Sequence, residues 1–89
     1  MKAVVLYETA PETTMEKMME FYPAHQANEE KFLNAGKIIG IGPFSQPGEG
    51  AMAIFTDRAS AEEFVKGDPF VTEGLVSKVT IREWVDEIL

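Results

Sequence analysis

His25 is the only histidine in the sequence and cysteine is absent. One imidazole is therefore the sole side chain here whose ordinary titration spans neutral pH. On a straight helix, residues 15, 18, 22, 25, 29 and 32 share one stripe. That spacing sets His25 and Glu29 among Met18, Tyr22 and Phe32, on or beside the buried face. A polar group on an apolar stripe needs a partner. Two carboxylates are candidates. Glu29 lies one helical turn from the imidazole. Asp68 precedes Pro69, and Asp at an N-cap with Pro at the first helical position is a helix opener. Asp68 is then either a cap alone, or a carboxylate fixed by that cap and aimed at His25 to orient and charge-stabilise a general base. Pro23 lacks an amide donor, so a kink or a new helical segment is expected there. That would put His25 near a helix start, where the dipole favours the neutral imidazole.

Other residues carry weaker signals. Tyr7 and Glu8 end an apolar run and could supply a hydroxyl or an acid, or be ordinary strand-end residues. Gly40, Gly42 and Pro43 would let backbone approach a ligand, or simply pack under a helix. A Gly-x-Gly without a further glycine is no nucleotide fingerprint. A pocket between helix and sheet is expected, lined by Ile39, Ile41, Phe44 and Trp84, with Phe70 close by. Trp84 is equally suited to a subunit interface. The methionines of the first helix read as core packing.

Composition excludes several functions. Fifteen acids against eight bases give a net charge of −7. Phosphate backbones need clustered Lys and Arg, so no nucleic-acid partner is expected. Anionic membrane surfaces are excluded for the same reason. Without cysteine there is no disulfide, thiol nucleophile or thiolate metal site. A single histidine rules out a His-rich metal site within one chain, and no cofactor is expected. The apolar segment after Met1 and Lys2 is about five residues, too short for a signal peptide or a membrane span. A cytoplasmic protein is expected.

The elements that must position these residues follow from periodicity. Ala3 to Tyr7 is uniformly apolar and β-branched, a strand buried on both faces. Thr13 with Glu16 has capping-box spacing, and the helical pattern that follows ends at Asn34-Ala35-Gly36, Gly36 being suited to a left-handed cap. Lys37 to Phe44 is a second strand, Gln46 to Gly50 a loop, and Ala51 to Thr56 a third strand. Ser60 with Glu63 repeats the capping-box signal. Asp68-Pro69 stops that helix, Phe70 to Gly74 is one helical turn, and Ser77 to Val85 alternates as a last strand.

This order predicts a single α+β domain over residues 1–89, a ferredoxin-like βαββαβ fold with a four-stranded antiparallel sheet. Both helices would cover one face. Yet Val4, Val5, Leu6 and Tyr7 supply apolar groups to both faces, as do Met52, Ala53, Ile54 and Phe55, and Trp84 points away from Val79 and Ile81, beside Thr80 and Arg82. A domain of this length buries only roughly 60–65% of its unfolded surface, so a homodimer joined sheet to sheet is expected.

Taken in order, several short motifs resemble the YCII-related family. They are Pro23-Ala24-His25, Ala35-Gly36-Lys37, Gly42-Pro43, Asp68-Pro69-Phe70, Gly74-Leu75 and Trp84. The resemblance covers nearly the whole chain. It implies a dimeric α+β barrel, and it places the family's characteristic histidine and aspartate on His25 and Asp68, which the family pattern treats as a His–Asp catalytic pair. One branch of the family is a dehydrochlorinase acting on a chlorinated hydroxyhydroquinone, and the fold is shared with muconolactone isomerases. One departure stands out. Many relatives carry an arginine shortly before the histidine, whereas Met18 to Ala24 contains no base; Arg82 and Lys78 are the candidate substitutes.

Two functions are consistent with these features. The first is a cofactor-independent lyase or isomerase in which His25 and Asp68 move a proton of a small molecule. Its pocket would include Tyr7, Glu29, Gly42, Pro43, Phe44, Phe70 and Trp84. The alternative is a non-catalytic dimeric module that binds a small ligand or serves as an accessory subunit.

Overall fold

The computed structural model describes residues 1–89. Seven elements follow in order: β1 (Lys2–Thr9), α1 (Met15–Asn34), β2 (Ile38–Pro43), β3 (Ala51–Phe55), α2 (Arg58–Gly67), α3 (Pro69–Thr72) and β4 (Val76–Trp84). The four strands form one antiparallel sheet in the order β2-β3-β1-β4. This is the ferredoxin-like α+β arrangement that the periodicities predict. No helix is long and apolar enough to cross a membrane.

The helix boundaries correct the expected caps. Thr14, not Thr13, is the N-cap of α1, its hydroxyl accepting from the Lys17 amide at 3.1 Å. Thr13 instead donates to the Leu75 carbonyl at 2.9 Å and ties the helix start to the approach of β4. Likewise α2 is opened by Asp57, which accepts from the Ser60 amide at 2.8 Å. That bond holds the Asp57 carboxyl below the usual carboxylate range. In both cases the true cap lies N-terminal or C-terminal to a similar Ser/Thr spacing, and only backbone geometry separates them. Nor does Pro23 interrupt α1, which is helical from Met15 through Asn34. Pro23 is on the exposed side, where water can satisfy the carbonyl that its missing amide leaves without a partner. The C-terminus ends as expected. Gly36 takes φ 72°, and the Gly36 and Lys37 amides donate to the Leu33 and Phe32 carbonyls at 3.0 and 2.9 Å, a Schellman closure.

The core lies between the helices and one sheet face. Ala3, Val5 and Tyr7 of β1 and Ala53 and Phe55 of β3 meet Phe32, Ala61 and Phe64 from the helices. The rings of Phe32, Phe55 and Phe64 pack with centroids 5.2 to 6.4 Å apart, within the favourable range for edge-on and tilted aromatic pairs. Only two residues of α1, Asn28 and Phe32, are buried, and both lie in its C-terminal half. Asn28 anchors that half by donating to the Phe64 carbonyl at 3.0 Å. The N-terminal half buries no side chain completely and leaves room beneath it.

The opposite sheet face carries Val4, Leu6, Met52 and Ile54, flanked by Thr80, Arg82 and Trp84. Register fixes this, since Val4 pairs with Ile54 and Arg82, and Leu6 with Met52 and Thr80.

Gly50 joins the loop to β3 with φ 96°, and its amide neighbourhood is tight: a Cβ there would collide with the Tyr7 carbonyl. Gly50→Ala should therefore combine left-handed strain with a backbone clash and cost about 2 kcal/mol or more. Urea unfolding of the variant measures this; an unchanged midpoint would show that the loop relaxes freely.

Candidate active site

Asp68 organises the site, and its placement starts with local backbone geometry. It ends α2, its amide donating to the Val65 carbonyl at 3.2 Å, and it opens α3, its carbonyl accepting from Val71 and Thr72 at 2.9 and 3.0 Å. With Pro69 in the first helical position, the turn is held from both sides. The Asp68 carboxylate is fully buried. An ionised carboxylate is acceptor-only and expensive to bury unless donors surround it. Three do. Oδ1 accepts from the Phe70 amide at 3.1 Å and faces His25 Nδ1 at 2.8 Å. Oδ2 accepts from the Tyr7 hydroxyl at 2.6 Å, the short length of a charge-assisted O–H···O⁻ bond. Asp68 thus caps α3 and meets the imidazole with the same oxygen.

Burial, followed by the bond to Asp68 and its negative charge, pushes the Tyr7 phenol above its ordinary range. Tyr7 stays a donor.

The His25 ring is held in plane as well as at one nitrogen. It stacks on Phe70, centroids 4.1 Å apart and planes 10° apart, and meets the edge of Phe64 at 6.2 Å. With Asp68 as acceptor at Nδ1, the proton of a neutral imidazole sits on that nitrogen and leaves Nε2 as the basic atom. Nε2 lies 3.4 Å from Glu29 Oε2, one turn along α1. Because Asp68 and Glu29 flank opposite ring nitrogens, the three side chains do not converge on one point, as metal ligands must.

A cavity of about 380 Å³ opens between the N-terminal half of α1 and the sheet. Tyr7, His25, Glu29, Gly42, Pro43 and Phe70 all line it, as does Ile41. The helix stripe contributes Met15, Met18 and Tyr22, so these methionines are cavity wall rather than core. Met19, Leu75 and Val76 also line it. Leu75 belongs to the Gly74-Leu75 motif without a role read from it, and nothing local marks Val76. They arrive because β4 starts beside the end of β1.

Several expectations need correction. Phe44 lies past the end of β2, exposed and away from the cavity wall. Ile39 sits at the irregular step between Ile38 and Gly40 and is exposed too. Trp84 pairs with Lys2 at the other end of the sheet, and its side chain is on the helix-free face. His25 is mid-helix, not near a helix start, so the dipole has no part in its chemistry. Neither substitute for the missing arginine reaches the cavity. Lys78 is exposed and 3.8 Å from Glu8, and Arg82 stands opposite Val4 on the far face.

These features define a ferredoxin-like domain with a histidine–aspartate pair facing an apolar cavity. The chain belongs to the YCII-related domain family, whose model matches residues 1–85. Among solved structures it is similar to the 5-chloro-2-hydroxyhydroquinone dehydrochlorinase of Burkholderia phenoliruptrix AC1100, in complex with 2,5-dihydroxybenzoquinone. The TM-score is 0.77 at 23% identity, over 94% of this chain and 93% of that one. It is also similar to a dimeric protein of unknown function and ferredoxin-like fold from Bacteroides fragilis. There the TM-score is 0.52 at 14% identity, over 93% and 92% of the two chains. No curated protein matches the chain.

The raised Tyr7 titration predicts an alkaline signature. The unfolded chain releases the phenol proton at about pH 10, while the folded protein keeps it. Above that pH the native state binds one more proton, so stability falls as pH rises, by about 1.4 kcal/mol per pH unit. Urea unfolding between neutral pH and pH 11 should show this slope in the native protein and lose it in Tyr7→Phe. Parallel curves for the two proteins would mean that the phenol ionises in the fold as readily as in water.

Proposed function

We propose that the chain is a small-molecule lyase or isomerase of the dehydrochlorinase-like kind, with His25 as general base and Asp68 as the group that orients it. The observation that carries this is the 2.8 Å contact between His25 Nδ1 and Asp68 Oδ1, in a histidine that lines the cavity and keeps Nε2 beside Glu29. The fold shared with a dehydrochlorinase is consistent with it.

In this reading a substrate binds with an acidic C–H or O–H at Nε2. Nε2 takes the proton, and the electron pair it leaves behind forms a double bond or an enolate. In elimination the leaving group departs with its own pair. In isomerisation the proton returns to a different atom. The imidazolium formed is stabilised by the carboxylate of Asp68, which three donors hold in place. Glu29, beside Nε2, can pass the proton to solvent. Proton transfer of this kind uses only the imidazole and the carboxylates. A positioned base contributes roughly 10²–10⁴-fold, so the substrate must already be activated. A ligand-binding module without turnover is the second reading. It is favoured by the lack of any Lys or Arg in the cavity wall to stabilise an anionic intermediate.

A panel of chlorinated hydroquinones and enolisable cyclic ketones, assayed for halide release and for deuterium exchange at carbon, tests the enzyme reading. At least one compound should turn over, and His25→Ala should slow it by roughly 10²–10⁴-fold while its circular dichroism stays native. A rate that survives the substitution would remove His25 as the base.

We also propose that two copies pack through the helix-free face. Its apolar centre at Val4, Leu6, Met52 and Ile54 is poorly suited to water, and a similarly folded protein is dimeric. Light scattering should give twice the 9.9 kDa chain mass, and Leu6→Asp should give the monomer. A native protein of single mass at micromolar concentration would end this proposal.

A further inference from the structure

The wall of the cavity contains no lysine or arginine. Its ionisable groups are the phenols of Tyr7 and Tyr22, with His25 and Glu29, and Asp68 lies directly behind the imidazole. Two carboxylates thus flank a single imidazole, and acids outnumber bases in the cluster. Lysines outside the wall are paired at the surface. Lys17 is 3.6 Å from Glu20 and above the Phe21 ring, Lys37 is 3.7 Å from Asp57, and Lys78 is 3.8 Å from Glu8. The rest of the wall is apolar, mainly methionine, aromatic and aliphatic side chains. A carboxylate or phosphate entering here would lose its hydration, meet no cation, and approach Glu29 at the one atom of the imidazole that is free to react.

We infer that this cavity selects uncharged hydroxylated ligands against anions, and that Glu29 is the residue setting that selection. The inference rests on the proposed use of the cavity as a ligand site, but not on catalysis by His25. Helical spacing carries the assignment to Glu29. At i+4 it shares the face of His25, and its Oε2 lies 3.4 Å from Nε2. A hydroxyl group brought to Nε2 therefore finds a second acceptor beside it, whereas a carboxylate finds a like charge. An uncharged, apolar-bodied molecule with an O–H group fits both the wall and the cluster.

The test is equilibrium binding with two probes of one shape and different charge, 4-hydroxybenzyl alcohol and 4-hydroxybenzoate. Each is titrated at neutral pH into isotope-labelled protein and followed by amide chemical shifts. The alcohol should perturb cavity residues such as Gly42, Phe70 and Val76, and bind about tenfold or more tightly than the benzoate, as expected for a like charge at close range in a partly dry site. In Glu29→Gln, which keeps size and hydrogen bonding but removes the charge, that gap should shrink by at least about threefold. Benzoate binding as tightly as the alcohol would overturn the inference. So would a gap unchanged by Glu29→Gln, or failure of both probes to perturb the cavity. Because the titration reads binding alone, a charge preference would stand whether or not the separate turnover assay supports His25 as a base.

Discussion

A carboxylate sealed from water is a liability until every lone pair it presents is met by a donor, and Asp68 is in that position. Its three donors come from three separate elements: the phenol of Tyr7 on β1, the imidazole of His25 on α1 and the backbone amide of Phe70 on α3. None can be withdrawn without leaving a buried charge short of a partner, which is far costlier than the net worth of any one bond. The sheet, the long helix and the short turn are thereby held to one point. The same residue sets the direction of the chain there, since its backbone closes α2 and opens α3. Packing completes what the carboxylate starts: Phe70, one residue past the turn's proline, stacks on the imidazole that Asp68 has already fixed at one nitrogen.

The cavity exists because α1 packs side chains into the core only in its C-terminal half. Asn28 and Phe32 fasten its C-terminal half to α2 and the core, while the half that contains Met15, Met18 and Tyr22 stands off the sheet. Methionine suits such a wall, being apolar enough to face the sheet and adaptable enough to fit more than one shape. His25 sits between the anchored and the free halves. One ring nitrogen is held by Asp68 and the other lies beside Glu29, in a residue that lines the space beneath the helix.

Membership of the YCII-related family and likeness to a dehydrochlorinase concern the frame that carries the site. Folds of this kind host unrelated chemistries, and function is argued from the site. Here the relevant particulars are a fixed imidazole, a satisfied carboxylate behind it, a second carboxylate beside it and a wall without cations. The first two are what proton transfer requires. The last two concern which molecules can come near.

Local pattern was enough to reveal the element order, and with it the fold, because strand and helix periods and the Asp-Pro and Ala-Gly stops are written in neighbouring residues. The stripe joining Met15, Met18, Tyr22, His25 and Glu29 was legible for the same reason: helical spacing alone puts them on one face. Caps were legible only to within a few residues. Thr13 and Thr14, or Asp57 and Ser60, are alternatives that backbone direction decides. That α1 continues through Pro23 depended on which side of the helix meets solvent. Alternation put Trp84 on the helix-free face correctly, but its place in the pocket wall, like that of Phe44, failed because strand pairing and strand ends, set at long range, decide which residues reach the cavity. The meeting of Tyr7, His25 and Asp68 belongs wholly to the tertiary structure. Sixty-one residues separate Tyr7 from Asp68 and forty-three separate His25 from it, and no local period spans such distances. Burial of a charge, which is a property of the whole fold, made their contact necessary.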